Sequence, residues 1–177
     1  LVNLNKWSDN LSAENTLKVI AAEKRGAPGT ALSGISVVNE FLSFLGVDTS
    51  AYLMVDGSGV SHYNLISADT YVQFLSAIFN QRDIIDLFFA SLPIGGIDGT
   101  LQNRMRGTAA EGKVRAKTGT ISGVSSLSGY AKTEDGDVLA FSIMMQNFIG
   151  SSKRYRDAQD KIVDLLTRFR RRVIENL

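Results

Sequence analysis

Residues 113–146 read KVRAKTGTISGVSSLSGYAKTEDGDVLAFSIMMQ, and the period of this stretch decides the fold class. From Lys113 to Thr118, basic and apolar residues alternate. An extended chain therefore carries Lys113, Arg115 and Lys117 on one face and Val114 and Ala116 on the other. Two further strands are predicted over 126–133 and 138–146. The link TEDGD between them contains Asp135-Gly136, a turn dipeptide that favours a hairpin. The meander closes near Gly150, after which Ile162, Leu165, Phe169, Val173 and Leu177 are spaced for one buried face of a terminal helix.

Upstream the period is helical. Residues 11–24 place Ala13, Leu17, Ile20 and Ala21 on one face before the GAPG loop of 26–29. A second helix is predicted over 33–45, with Ile35, Val38, Leu42 and Leu45 in one stripe and Gly46 as its stop. Residues 52–55 read as a short strand entering the turns of Asp56-Gly57-Ser58-Gly59. Ser67 is the expected N-cap of a helix through Phe79, with Val72, Leu75 and Phe79 inward, and a shorter helix follows over 83–90. Helices first, then an antiparallel meander closed by a helix, give an α+β fold, an antiparallel sheet flanked by helices. Neither a repeat nor a linker divides residues 1–177, so they are read as one unit.

The composition narrows the function classes. The 177 residues hold 19 Lys and Arg against 18 Asp and Glu, so no global field favours nucleic acid. With no cysteine there is neither a disulfide nor a thiolate metal site. One histidine, His62, argues against a histidine-rich metal centre or a Ser-His-Asp triad within the chain. Apolar runs fall short of the roughly 20 residues that a transmembrane helix needs. The chain opens on Leu1, and the expectation is a piece of a longer protein or a processed product.

Two tripeptides carry chemistry: Ser8-Asp9-Asn10 before the first predicted helix, and Lys117-Thr118-Gly119 on the basic-faced strand. Lys117 and Thr118 offer a cation and a hydroxyl for a carboxylate. Gly119 removes a Cβ from the strand edge, and the N–H of Thr120 can aim at a developing oxyanion. Ser8 can relay a proton to a leaving amine, and Asn10 can offer its amide to a substrate or to a catalytic lysine. The competing assignment makes Ser8 and Asn10 caps of the 11–24 helix and Lys117 a solvated strand end.

Together with VDGSGVSHYNLISADT at 55–70 and SLPIGGIDGTLQNRMRGTAAEGKVRAKTGTISGVSSLSGYA at 91–131, the chain resembles the D-alanyl-D-alanine carboxypeptidase/endopeptidase family, the class C low-molecular-mass penicillin-binding proteins. The resemblance covers only the C-terminal part of that family. It implies the C-terminal half of a penicillin-binding/β-lactamase-like transpeptidase domain, with Ser8, Asn10 and Lys117 catalytic and Thr118, Gly119 and Thr120 binding substrate. His62 stands where relatives often carry arginine, and it is expected to line the pocket for the stem-peptide side chain. The implied reaction is acyl transfer from D-Ala-terminated peptidoglycan peptides, in the cell envelope, with β-lactams as acylating inhibitors and no metal or organic cofactor. A serine β-lactamase shares the two tripeptides, but the DGSG and LPIGG blocks argue against one. A catalytically inactive cell-wall-binding module is the other alternative.

The family's nucleophile belongs to a Ser-x-x-Lys upstream of Ser-Asp-Asn, and no lysine here has Ser or Thr three residues before it. The missing N-terminal part of the same protein is therefore the expected partner. Two other features are read as structural. Gly107 to Lys113 approaches a phosphate-binding loop, but Val114 replaces the hydroxyl that would hold magnesium. Arg168, Arg170, Arg171 and Arg172 are read as the solvated face of the docked terminal helix, rather than as a contact for lipid or teichoic polymer.

Overall fold

The computed structural model describes residues 2–171. Helices α1 (Val2–Trp7), α2 (Asn10–Arg25), α3 (Ala31–Phe44), α4 (Ala68–Phe79) and α5 (Arg82–Ser91) come first. Strands β1 (Val114–Ile121), β2 (Val124–Lys132) and β3 (Val138–Gln146) follow, and α6 (Lys153–Thr167) closes the order. A single 3-10 turn, Gly99–Leu101, lies in the long connection between α5 and β1.

The strands form one antiparallel sheet in the order β1-β2-β3, with Lys117 opposite Ser128 and Thr118 opposite Leu127. Alternation along the strands gives each face its own core. On one face Val114, Ala116, Leu127 and Phe141 pack with Leu101, Met105 and Val163 of α6. On the other, Tyr130 meets Leu75 and Leu92, with Phe74, Phe88 and Phe89 around them. The Tyr130 hydroxyl donates to the Leu75 carbonyl at 2.7 Å, so the ring is buried with its polar end satisfied.

Several elements depart from the sequence expectation. The strand expected over 52–55 is a single bridge, Leu53 to Leu65. Side chains take the backbone donors that a ladder would use. Asn64 Oδ1 accepts from Val55 N–H at 2.8 Å, and Asp56 accepts from Gly59 and Ser61 N–H at 2.6 and 2.8 Å. In α4 Leu75 is inward as expected, together with Thr70 and Ile78, while Phe79 is 42% exposed at the rim, beside Tyr130.

The buried face of α6 is Gln159, Val163 and Thr167, with Leu166 against the core, whereas Ile162, Leu165 and Phe169 are exposed. Gln159 can be buried because its amide donates to the Ser125 carbonyl at 3.0 Å and its Oε1 accepts from Arg104 at 3.1 Å. Apolar spacing alone could not reveal that a glutamine occupies the core face. The helix ends at Thr167, and Val173, Leu177 and Arg172 lie outside the described residues. The basic run is not a helical face. Arg168 pairs with Asp164, and beyond the helix Arg170 and Arg171 pair with Glu134 and Asp137 of the β2–β3 turn.

Candidate active site

The chain turns sharply between α1 and α2, and that turn presents Ser8. Its φ of 57° lies in the left-handed region, uncommon for a residue with a Cβ. The cap of α2 is neither Ser8 nor Asn10 but Asp9, whose carboxylate accepts from Ser12 N–H at 2.8 Å. The Ser8 hydroxyl is therefore free of capping duty. Asn10 is the first residue of α2 and is exposed.

Strand β1 meets Ser8 from the other side. Lys117 Nζ donates to Ser8 Oγ at 2.5 Å and to the Thr118 carbonyl at 2.9 Å. Burial of the Lys117 ammonium pushes its pKa below the ordinary lysine value, because desolvation disfavours the charged form. With Ser8 Oγ accepting from the ammonium, its own hydrogen remains available to another acceptor.

The ladder fixes which backbone groups face outward. Ala116 N–H donates away from β2, to the Pro93 carbonyl at 3.0 Å. Antiparallel alternation then turns the N–H groups of Thr118 and Thr120 to the same outer edge. Gly119 faces Ser126 across the ladder, and a Cβ there would overlap the Ser126 hydroxyl. The Thr118 side chain leaves the strand opposite to Lys117, and its hydroxyl donates to Thr100 Oγ1 at 3.0 Å. The cluster thus wraps the outer edge of β1, with Lys117 and Ser8 on one side and Thr118 and Thr100 on the other.

Residues that the sequence reading passed over hold the two sides together. Lys6 of α1 donates to Asp98 Oδ2 and to the Leu92 carbonyl, each at 2.6 Å. Asp98 Oδ1 accepts from Ile94 N–H at 2.8 Å. Gly99, at a φ of +55°, sits so close to the Lys6 carbonyl that a Cβ would overlap it. Lys6, Asp98, Gly99 and Thr100 thereby dock the turn that carries Ser8 onto the strand that carries Lys117. The available signal was Asp98-Gly99, a turn dipeptide inside the long 91–131 block.

Of the seven site residues expected from sequence, Ser8 and Lys117 are in contact, and Thr118, Gly119 and Thr120 follow along the same strand edge. Asn10 starts α2, two residues after Ser8, and its exposed side chain makes no hydrogen bond to the others. His62 is on an exposed turn of the 52–66 loop and makes no hydrogen bond or ion pair to the other six. That loop is tied to α2 through Glu14, which accepts from Gly57 and Ser58 N–H at 3.0 and 2.9 Å. Among the described residues, no group of three or more His, Cys, Asp or Glu is arranged to hold a metal. The phosphate-loop lookalike is a set of turns closed by Glu111 on Gly107 N–H at 2.8 Å.

Comparison with known proteins adds an independent line. The D-Ala-D-Ala carboxypeptidase 3 (S13) family matches residues 1–169. A D-alanyl-D-alanine carboxypeptidase of Actinomadura sp. (strain R39) is 48% identical over 155 residues, which is 85% of this chain and 28% of that protein. Penicillin binding protein 4 from Haemophilus influenzae, solved in complex with a β-lactam, superposes with a TM-score of 0.84 at 26% identity, over 95% of this chain and 41% of that one. The TLA-3 extended-spectrum β-lactamase shares the fold, with a TM-score of 0.71 at 17% identity over 94% of this chain and 63% of that one. The chain spans about a third of the length of the curated relatives it matches.

Proposed function

The chain belongs to the D-Ala-D-Ala carboxypeptidase 3 (S13) family, and we propose that it supplies the proton-transfer and carboxylate-binding side of a serine D,D-peptidase site. The observation that carries this reading is the 2.5 Å contact between Lys117 Nζ and Ser8 Oγ at the outer edge of β1, just past the stretch that pairs with residues 93–95. A serine from another part of the same protein attacks the carbonyl between two terminal D-Ala residues of a peptidoglycan stem peptide. The peptide lies along β1, its C-terminal carboxylate near Lys117 and Thr118. The oxyanion takes a hydrogen bond from Thr120 N–H. The proton lost by the attacking serine passes to the lysine of the same upstream Ser-x-x-Lys. As the C–N bond breaks, Ser8 gives its proton to the departing amine and recovers one from that lysine, while the Lys117 ammonium steadies the Ser8 oxygen. Water then releases the acyl group from the serine and regenerates the enzyme.

In this scheme Asn10 contacts the substrate amide or the catalytic lysine, and His62 lines the space for the stem-peptide side chain. Penicillins enter the same edge and acylate the same serine, as the β-lactam complex of the Haemophilus relative supports. The substrate sets the working place as the cell envelope, outside the cytoplasm. No described helix is long and apolar enough to cross a membrane. The remaining part of the protein is the proposed cover for the outer edge of β3 and for Leu32 and Phe44 of α3, which are 80% and 82% exposed.

The test is release of D-Ala from a D-Ala-D-Ala-terminated peptide by the full-length protein that carries this segment. Ser8→Ala is expected to slow turnover by on the order of 100-fold, as befits a lost general acid, with a smaller effect on pre-covalent penicillin affinity. Wild-type rates in both Ser8→Ala and Asn10→Ala would remove both residues from the chemistry.

A further inference from the structure

We infer that Thr100 is a positioning residue for Thr118, and through it sets how strongly the site prefers substrates ending in a free carboxylate. The inference rests on the D,D-peptidase reading above.

Three observations converge on Thr100. Its hydroxyl lies 3.0 Å from Thr118 Oγ1, across the connection between α5 and β1. Its backbone is held on both sides: Leu101 is fully buried in the core, and Gly99 is packed against the Lys6 carbonyl. Asp98, two residues earlier, uses both carboxylate oxygens, one on Lys6 Nζ at 2.6 Å and one on Ile94 N–H at 2.8 Å. Thr100 is thus a hydroxyl on a fixed mount.

Thr118 needs such a mount. It leaves β1 on the face opposite Lys117, so the ammonium that anchors Ser8 does nothing for its rotamer. A threonine has its methyl and hydroxyl on the same carbon, and a rotation about χ1 moves the hydroxyl off the edge where a ligand would lie. Without a ligand, Thr118 donates to Thr100. When a carboxylate arrives, Thr118 must turn its single hydrogen from Thr100 to the carboxylate, which frees its oxygen to accept the Thr100 hydrogen once that hydroxyl turns toward it. Thr118 then donates to the carboxylate and Thr100 donates to Thr118. Each bond in such a chain polarises the next, which makes Thr118 a better donor than a lone hydroxyl.

The experiment uses the full-length protein with two peptides, one ending in D-Ala-D-Ala and one ending in the corresponding C-terminal amide. Thr100→Val keeps the branched shape and removes the donor. It is expected to shrink the ratio of kcat/KM for the acid over the amide by about 10-fold, the size of one ligand-facing hydrogen bond. Thr100→Ser should restore that ratio. Equal losses on the two peptides, or an unchanged ratio, would overturn the inference. A crystal structure of Thr100→Val supplies a readout independent of activity. The Thr118 hydroxyl should leave its present rotamer, and an unmoved Thr118 would also overturn the inference. If the wild-type protein cleaves neither peptide, the peptidase reading itself has failed, and the Thr118 rotamer alone then decides the positioning claim.

Discussion

Lys117→Ala is expected to lower the rate of acylation, by D-Ala-D-Ala peptide and by penicillin alike, on the order of 100-fold or more. Lys117 is the cation at the strand edge where the substrate carboxylate is proposed to sit, and it also holds Ser8 through a 2.5 Å charge-assisted hydrogen bond. Removing it loses the proposed counter-charge of the carboxylate and frees Ser8, the proposed proton donor, in one step. Lys117→Arg should rescue poorly, since a planar fork does not fit a site built around a compact ammonium. The same residue sets a pH dependence with a definite sign. Burial lowers the Lys117 pKa, so its charge is lost as pH rises through a value below the ordinary lysine range. The alkaline limb of kcat/KM in the free enzyme should therefore begin below the ordinary lysine range. A limb at or above that range would separate Lys117 from the rate.

The second large effect is expected from a methyl group outside the cluster. Gly99→Ala puts a Cβ into the Lys6 carbonyl, a backbone atom that can yield only if α1 shifts as a whole. Ser8 directly follows α1, so that shift moves the proposed proton donor away from Lys117. A displacement of about 1 Å at reacting groups is worth about 100-fold in rate. Gly107→Ala is the matched control. Gly107 has a similar left-handed φ of +70°, but a Cβ there meets nothing within 4 Å. It carries the backbone strain of an alanine at positive φ, about 1 kcal/mol, without the collision. Acylation kinetics and thermal melting of the two variants separate these terms. Equal losses in both would mean that strain rather than the α1 contact sets the effect.

The sheet was legible because its signal is local. Alternation at 113–118 and the Asp135-Gly136 turn sit inside single strands or single hairpins, and β3 falls at 138–146 as expected. The α6 face was misassigned because Gln159 is made apolar-compatible by partners more than 30 residues away, Ser125 and Arg104. The 52–55 strand failed for the opposite reason. Its residues have strand propensity, but Asp56 and Asn64 capture the backbone donors that a second strand would need. Within the site, Ser8 and Lys117 were picked out from short motifs, and the helix-cap alternative for Ser8 and Asn10 falls because Asp9 caps α2 itself. Lys6, Asp98 and Thr100 were not readable. Their roles arise from contacts spanning 92 and 18 residues, Lys6 to Asp98 and Thr100 to Thr118, and a single polar residue on a turn carries no periodic signal.

The central claim is that these residues hold the Lys117–Ser8 side of an acyl-transfer site while the nucleophile comes from elsewhere in the same protein. None of the lysines has a serine or threonine three residues before it, and Lys6, near Ser8, is committed to Asp98. Incubation with a fluorescent penicillin followed by denaturing electrophoresis tests this directly, on the 177-residue chain and on the full-length protein in parallel. The expected result is a labelled full-length band and no label at 19.2 kDa. Label at 19.2 kDa would contradict the account, since it would require a reactive nucleophile among the residues described here.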